Sequence, residues 1–371
     1  MNQLATDVAG FSAARADQLR RTFTTFNRGK SLEQIHRFWQ EFREGARKKG
    51  VPEDVAEKIF KKFNGHYMFP EAHAFAFGVT AYHMAWLKYY YPLEFFVAIF
   101  NQQPMGFYNL ETLKEDARRH EIRVLNPDIN HSLDKCTIKD ESLLLGFLQV
   151  AGVGEAGAAA IIEAREWDGP FTSLADAVQR TDLKREALEN LVLAGAFDSL
   201  VRNRKKALWE LGLRYRPRSK QLPLQLPVEQ DMALLPALTS WEIMEDEYRT
   251  LGLFPGGHIM GMLRPYLNQG VLTSQHIPDL PEGTQVTVAG LVVRRQRPLG
   301  RAVYITLEDE HGHTPLVVWP KAYERLRLVL RESLLEVRGV VSRQEGTLNI
   351  VVKQARSLKG VRKRPQAKNW S

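Results

Sequence analysis

The stretch AGVGEAGAAAIIEAR, residues Ala151–Arg165, decides between two very different folds for the middle of this 371-residue chain. Gly152, Gly154 and Gly157 match G-x-G-x-x-G, the glycine pattern of a dinucleotide-binding turn. A fold of that kind also needs a second apolar strand that ends in an acidic residue about 20 positions further on. The segment that follows, residues 166–180, instead predicts a turn and another helix. A nicotinamide-dependent enzyme therefore ranks as the third hypothesis for this chain.

The same stretch has the pattern of a helix-hairpin-helix, in which a short glycine turn joins two helices. Leu148 and Val150 precede the turn, and Ile161 and Ile162 lie on the helix that follows it. In such a hairpin the glycines let the backbone approach a nucleic-acid phosphate, and amides at the start of the second helix donate to it. The alternative is that the glycines only close a tight turn. The predicted DNA-binding residues are Gly152, Val153, Gly154, Arg165, Lys184 and Arg185.

A second glycine turn follows downstream. The segment LKREALENLVLAGAFDSL, Leu183–Leu200, predicts a second, degenerate hairpin. Gly157, in contrast, is interpreted as an incidental match in the first turn of the helix after the first hairpin.

After residue 283 the pattern changes to short segments rich in valine and isoleucine, which predict β-strands. Five such strands with one helix, at residues 320–330, between the third and the fourth have the order of an OB-fold barrel. The predicted fold class is multidomain α+β, in which a helical region and a helix-hairpin-helix precede a small OB-fold β-barrel. The predicted divisions are a helical region at 1–140, the helix-hairpin-helix region at 141–213, a linker with a small helical subdomain at 214–282, the OB-fold at 283–358 and a basic tail at 359–371.

Composition adds a polyanionic partner to these expectations, since the formal net charge is +8 and the pI is about 9.4. A single cysteine, Cys136, excludes an intrachain disulfide, and the amino terminus has no apolar signal segment, so we expect a cytoplasmic protein. The most apolar stretch, Phe75–Phe100, is interrupted by His83, Lys88 and Glu94. It predicts a buried helix rather than a membrane span, and no membrane partner is expected.

The sequence contains no motif that indicates a catalytic or metal-binding site. No segment matches a phosphate-binding loop, and no pair of carboxylates has the spacing of a two-metal site. The acidic triplet Glu308–Glu310 precedes a His-Gly turn and is interpreted as a solvated turn. We therefore predict neither a catalytic residue nor a metal ligand, and no cofactor bound by this chain alone.

Four motifs, in this order, resemble the bacterial C-family DNA polymerases, which are related to the replicative polymerase III alpha subunit. They are ADQLRR at 16–21, a long aromatic segment at 69–108, VAGVGEAGAAAI at 150–161 and LENLVLAGAFDSL at 188–200. The phrase NQQPMGFY at 101–108 and the Pro-Glu before Ala-His resemble the error-prone, damage-inducible branch of that family. This resemblance implies DNA replication past damage, that is translesion synthesis, and DNA repair.

The resemblance also implies which parts of such a polymerase are present. Residues 1–140 would be part of the fingers, and the PHP domain and the palm with its metal-binding aspartates would be missing. Arg20, Arg21 and His73 match family positions near the triphosphate of the incoming dNTP. Mg²⁺ is then expected only together with a palm-bearing chain, and this chain alone is predicted to be inactive as a DNA-directed DNA polymerase, a nucleotidyltransferase.

Two functions remain in competition. The first is the C-terminal part of an error-prone polymerase, which binds dNTP and both the duplex and the single strand of primer-template DNA. It would act with a palm-bearing polymerase chain and an accessory translesion protein. The alternative is a non-catalytic DNA-binding module built from the helix-hairpin-helix and the OB-fold. Sliding-clamp binding is not predicted, because in QLPLQLP at 221–227 Gln225 stands where an aromatic anchor is expected.

Overall fold

The chain forms two compact units, Met1–Ala85 and Trp86–Ser371. The computed structural model describes residues 1–24, 31–63, 71–106, 108–215, 234–297, 302–343, 346–358 and 368–370. Most of the predicted linker, the clamp-like segment at 221–227 and most of the predicted basic tail lie outside the described residues.

The first unit is built from helices whose phenylalanines form a shared core. Phe42 and Phe63 are buried, and their rings meet edge-on with centroids 5.7 Å apart. This arrangement is favourable because the edge of an aromatic ring is positive and its face is negative. The helices are α1 (Asn2–Ala9), α2 (Ala13–Thr24), α3 (Ser31–Lys48), α4 (Glu53–Lys62) and α5 (Glu71–Tyr90), the last of which continues into the second unit.

Helix α5 corrects the prediction of a buried helix over Phe75–Phe100. Phe75 and Tyr82 are 75% and 69% exposed, whereas Phe96 and Phe100, on the next helix, are completely buried. The prediction is therefore wrong for α5 and confirmed for that next helix, Pro92–Asn101. Composition reports the tendency of side chains to leave water, but it does not specify a segment that covers them. None of the described helices is both long and apolar enough to cross a membrane.

Most of the helical part of the second unit is organised around one core, in which Phe100, Phe147, Ile161 and Leu191 are completely buried. Helix α6, which the sequence grouped with residues 1–140, thus shares a core with the hairpin region, and the boundary at 140 stays a prediction. The elements are α6 (Pro92–Asn101), α7 (Leu110–Arg119), β1 (Val124–Leu125), β2 (Thr137–Lys139), β3 (Ser142–Leu144), α8 (Gly154–Asp168), α9 (Leu174–Arg180), α10 (Arg185–Leu193), α11 (Arg204–Arg214), α12 (Ser240–Thr250) and α13 (Ile259–Leu263).

The rest of the second unit is a closed barrel. Its strands pair in the order β5-β6-β7-β9-β8, and β8 returns to pair with β5. Strands β7 and β9 are parallel, and α14 lies between β7 and β8 in sequence. This is the strand order of an OB-fold, so the predicted fold class is confirmed. The elements are β4 (Val271–Leu272), β5 (Gln285–Gln296), β6 (Val303–Glu308), β7 (His313–Val318), α14 (Pro320–Leu326), β8 (Leu334–Ser342), β9 (Asn349–Ser357) and β10 (Lys368–Trp370).

A buried lysine ties α7 to the segment before α13. The Nζ of Lys114 donates to the Glu111 carboxylate at 3.0 Å, to the Glu115 carboxylate, and to the carbonyl oxygens of Phe254 and Gly257. The three charged side chains are 0–3% exposed. Because buried charges are tolerated only when paired and hydrogen-bonded, this cluster fixes α7 against the 254–257 segment.

The acidic triplet at the end of β6 belongs to the same junction, so its interpretation as a solvated turn was wrong. Glu308 is completely buried and accepts from a hydroxyl on α7 at 3.4 Å. Asp309 accepts from the amide and the hydroxyl of Ser274, each at 2.6 Å. Glu310 accepts two bonds from the Arg264 guanidinium, at 2.7 and 2.9 Å. The partners come from distant elements, which the local sequence does not reveal.

Candidate nucleic-acid interface

The turn before α8 presents its backbone to open space. Gly152 and Gly154 have φ angles of +82° and +63°, which L side chains rarely adopt. Helix α8 begins at Gly154, and the side chain of Val153 makes no capping hydrogen bond. The first amides of a helix have no acceptor inside it, so here they can donate to an external acceptor. A Cβ added to Gly154 would meet no atom within 4 Å, so nothing in the described chain blocks that approach.

The packing on the inward-facing side of the turn explains why the third glycine, Gly157, has no side chain. Val153 is buried, so only its backbone is available to a ligand. A Cβ at Gly157 would lie 3.0 Å from a methyl carbon of Val153 and 3.1 Å from one of Leu183. Gly157 is therefore a close-packing position between α8 and the segment that enters α10, a role that the sequence did not predict and that is separate from the dinucleotide pattern.

Two elements distant in sequence hold the turn in place. The side-chain amide of Asn190, on α10, donates to the carbonyl oxygen of Ala151 at 2.8 Å. The amide of Ala151 donates in turn to the carbonyl oxygen of Thr250, the last residue of α12, at 2.8 Å. Both polar groups of Ala151 are thus satisfied internally, and the glycines that follow keep a defined conformation.

Lys184 and Arg185 directly follow Leu183, which packs against the first turn of α8. Both are exposed, and Arg185 donates to Glu189 at 2.8 Å, one helical turn further along α10. The exposed Glu155 in the first turn of α8 adds a negative charge, so an anion needs these cations as well as the amides. Their role in DNA binding stays a prediction.

Arg165 is in a different place. It follows Gly154 by three turns of α8, a separation of about 16 Å along the helix axis. Its guanidinium donates to the carbonyl oxygen of Ile129 at 3.2 Å, and partial burial lowers its pKa. The structure therefore does not bring Arg165 to the glycine turn, and any contact of its own with DNA would lie further along the duplex.

Within the predicted second hairpin, Leu183–Leu200, the structure has α10 and a glycine turn, and the next helix, α11, begins only at Arg204. The glycine of this turn is enclosed. Gly195 has a φ of +86°, and a Cβ there would lie 2.9 Å from Asp198 and 3.0 Å from Asn126. The buried Arg204 fills the same space and donates to Asp198 and to Glu247, at 2.6 and 2.9 Å. This turn is occupied by the protein's own side chains, so the first hairpin is the one that is open to a phosphate.

The enclosed network also makes stability depend on pH. Burial raises the pKa of Glu247 from an ordinary value of 4.5 to about 6, although the charge of Arg204 opposes the shift. A raised folded-state pKa favours the folded protein fully below pH 4.5, and this benefit is lost as pH rises through 6. We expect the change to be about 2 kcal/mol.

Urea unfolding of the wild type and of Glu247→Gln between pH 4 and pH 7 measures this contribution. The glutamine cannot ionise, so the variant should gain about 2 kcal/mol relative to the wild type as pH rises over that interval. Parallel stability curves for the two proteins would contradict the assignment.

The predicted dNTP residues lie in the first unit. Arg20 and Arg21, on α2, donate to the two carboxylate oxygens of Asp17, at 2.9 and 2.8 Å. His73 lies on the first turns of α5, with its ring 4.3 Å from that of Phe77. Both elements present polar side chains at partly exposed positions, and the assignment of these residues to a triphosphate stays a prediction.

The OB-fold carries an aromatic surface on its outer face. Tyr304 on β6 is 43% exposed and pairs with Gln296 on β5 and with Val317 on β7. Trp319, directly after β7, is half exposed, and the guanidinium of Arg297 lies 4.7 Å from the ring centroid of Tyr323, which is partly buried. Exposed aromatic rings with arginines alongside are the usual platform for stacking single-stranded bases.

Asn190 and Arg249, which hydrogen bonds connect to the turn, are residues that sequence reasoning missed. Asn190 lies in the apolar run LENLVLAG, where only its polarity at a buried position was a signal. Arg249 follows an acidic run on α12, about 100 residues from the glycines, and no spacing links the two segments. Only the packing of α12 against α10 brings them together.

Comparison with known families agrees with this geometry. Residues 121–207 match the helix-hairpin-helix motif model, and residues 286–358 match the OB-fold nucleic acid binding domain model. A solved asparaginyl-tRNA synthetase from Pyrococcus horikoshii shares 23% identity with the chain and covers 24% of it, and the chain covers 23% of the synthetase, with a TM-score of 0.22. So small a TM-score supports no argument.

Comparison with curated proteins extends the match to nearly the whole chain. An error-prone DNA polymerase of Mycolicibacterium paratuberculosis is 34% identical over 95% of this chain, and one of Anaeromyxobacter is 36% identical over 94%. The chain covers 33% and 32% of these relatives, so it spans about a third of their length. The resemblance to the error-prone branch that the sequence motifs predicted is thus confirmed.

Proposed function

We propose that this chain, a homologue of the error-prone DNA polymerases over 94–96% of its length, is a DNA-binding portion of such a polymerase. The observation that carries the proposal is the open, uncapped hairpin at residues 152–156, in the same unit as an OB-fold with an aromatic outer face. The hairpin can donate backbone amides to a duplex phosphate, a contact that does not depend on base sequence.

In this proposal the parts of the chain bind different parts of the substrate. The hairpin, with Lys184 and Arg185, holds the duplex of the primer-template, and the OB-fold stacks bases of the single strand on Tyr304 and Trp319. Arg20, Arg21 and His73 contact the triphosphate of the incoming dNTP. The carboxylates that hold Mg²⁺ for nucleotidyl transfer come from another polypeptide segment, so this chain contributes binding and not the chemical step in synthesis past damaged bases.

Binding of a labelled primer-template with a single-stranded overhang, followed by fluorescence anisotropy at increasing NaCl, tests the binding part. Because phosphate contacts release counterions, the logarithm of the affinity should fall linearly with the logarithm of the salt concentration. Affinity that is absent at low salt, or that does not respond to salt, would refute DNA binding by this mode. Micromolar binding of NAD(H) would instead support the nicotinamide hypothesis.

Primer extension with Mg²⁺ and dNTPs tests the catalytic part. The chain alone should give no extension, and extension should appear when a palm-bearing polymerase chain is added. Arg20→Ala and His73→Ala should then reduce the extension rate without changing DNA affinity. If the chain never supports extension but keeps its DNA affinity, the non-catalytic binding module is the correct function; extension by the chain alone would contradict the assignment of the carboxylates.

A further inference from the structure

We propose that Arg249, on α12, binds the same DNA phosphate as the glycine hairpin and is held there by Asn190. The inference rests on the proposed DNA binding by the hairpin and deepens it. Arg249 lies outside residues 121–207, the range that matches the helix-hairpin-helix model. The phosphate site would therefore be composite, with backbone donors from the hairpin and a charge from a helix outside the motif.

A chain of hydrogen bonds leads from the hairpin to the guanidinium. Asn190 Nδ2 donates to the Ala151 carbonyl oxygen at 2.8 Å, and Arg249 Nη1 donates to Asn190 Oδ1 at 3.2 Å. The residue after Arg249, Thr250, accepts from the Ala151 amide at 2.8 Å. Arg249 is thus connected to the residue before Gly152 both through its side chain and through its neighbour's backbone.

The hydrogen bonds that Arg249 makes within the protein leave its guanidinium able to bind an anion. Its other bond goes to Asp246, one turn earlier on α12, at 3.3 Å, and its side chain is 34% exposed. These two bonds use two of the five N–H groups of a guanidinium, so the remaining donors can meet a phosphate oxygen. By contrast, Arg180 on α9 is 13% exposed and donates to two backbone carbonyls and to Asp176.

Asn190 is a positioning residue in this arrangement. It is 6% exposed, and a Cβ at Gly152 would lie 3.4 Å from its Nδ2, so it sits directly beneath the turn. Its side-chain amide donates to the Ala151 carbonyl oxygen of the hairpin, and its amide oxygen orients Arg249. An aspartate at this position would instead place a carboxylate against the Ala151 carbonyl oxygen. The guanidinium and the hairpin amides are therefore aligned before DNA arrives, which reduces the entropy lost on binding.

Binding of a blunt duplex to Arg249→Gln tests the proposal in the full chain. We expect a loss of affinity of about fivefold to tenfold at low salt, and a salt slope smaller by about one. Arg356→Gln is the matched control, because Arg356 is exposed on β9 of the OB-fold and its loss changes the net charge equally. It should stay within about twofold of the wild type, since the blunt duplex engages the hairpin.

Asn190→Ala and the double variant test the positioning role. If Asn190 acts through Arg249, Arg249→Gln should weaken binding much less in the Asn190→Ala background than in the wild type. Thermal unfolding of each variant confirms that it is folded at the assay temperature. Equal affinity of Arg249→Gln and the wild type would overturn the proposal and leave hairpin binding intact, whereas a wild type without salt-dependent binding would overturn the proposed function itself.

Discussion

Replacing Lys114 with methionine should lower the free energy of unfolding by about 3–5 kcal/mol. Glu111 and Glu115 are completely buried, and Lys114 is the cation that both carboxylates contact. Methionine fills a similar volume but leaves Glu111 without a cation and Glu115 with Arg118 alone, at 2.7 Å. Breaking a buried pair in this way is far more costly than removing it whole. Urea unfolding of the full chain followed by circular dichroism measures the difference.

The pH dependence of that loss follows from Glu111. Burial already raises its pKa, and the charge of Lys114 opposes the rise. Without Lys114 the folded-state pKa rises further, so the destabilisation is present when the carboxylate must ionise and is relieved as pH falls. We therefore expect a larger loss at pH 7 than at pH 4.

Two comparisons make this prediction specific. Lys205→Met removes a cation that bonds Glu242 at 3.0 Å with both side chains partly exposed, and it should cost less than about 1 kcal/mol. Adding Glu111→Gln and Glu115→Gln to Lys114→Met should recover much of the lost stability, because no buried charge then lacks a partner. A loss as small as that of Lys205→Met would show that the α7 cluster is not the junction described above.

Replacing Gly154 with valine should weaken duplex binding by tenfold or more. The residue has a φ of +63°, and the left-handed conformation costs an L residue about 1–2 kcal/mol. A branched side chain would also stand where a phosphate approaches the first amides of α8. The two effects act together, since relief of the backbone strain turns those amides away from the ligand.

Gly169→Val is the matched control at the other end of α8. Gly169 has a φ of +79° and no atom within 4 Å of an added Cβ, so its backbone is strained at least as much by the change. It should lose comparable stability in thermal unfolding but bind the duplex like the wild type in fluorescence anisotropy. Equal affinities for both variants would mean that the open hairpin is not a DNA contact, whatever the OB-fold does.

Several features of the fold were predictable because they are local. The glycines at 152 and 154 identified the turn, since only a residue without a Cβ tolerates their φ angles. The valine- and isoleucine-rich segments after residue 283 identified the barrel strands, since these residue types favour strands and, in β8, most of them alternate with less buried positions. Each of these patterns repeats within a few residues, so no distant partner is needed to recognise it.

Two features that the sequence did not reveal depend on partners that are remote in sequence. The packing role of Gly157 was not predicted because Leu183, which packs against it, lies on another element. The triplet Glu308–Glu310 was interpreted as solvated because its partners on α7 and at Arg264 are not visible locally. Helix α5 was predicted to be buried because its composition is apolar, yet its aromatic side chains are exposed.

The sequence by itself determined the order of the modules, the type of each one and the polymerase branch to which the motifs are related. Backbone conformation and strand periodicity are properties of short segments, so they can be recognised in the amino-acid sequence alone. Only the tertiary structure decided which hairpin is open, because Arg204 closes the second turn from a helix outside it. The tertiary structure also decided which cation is connected to the first turn, since charges act across space. Hydrogen bonds of Asn190 connect Arg249 to that turn, whereas Arg165 bonds to a carbonyl oxygen away from it.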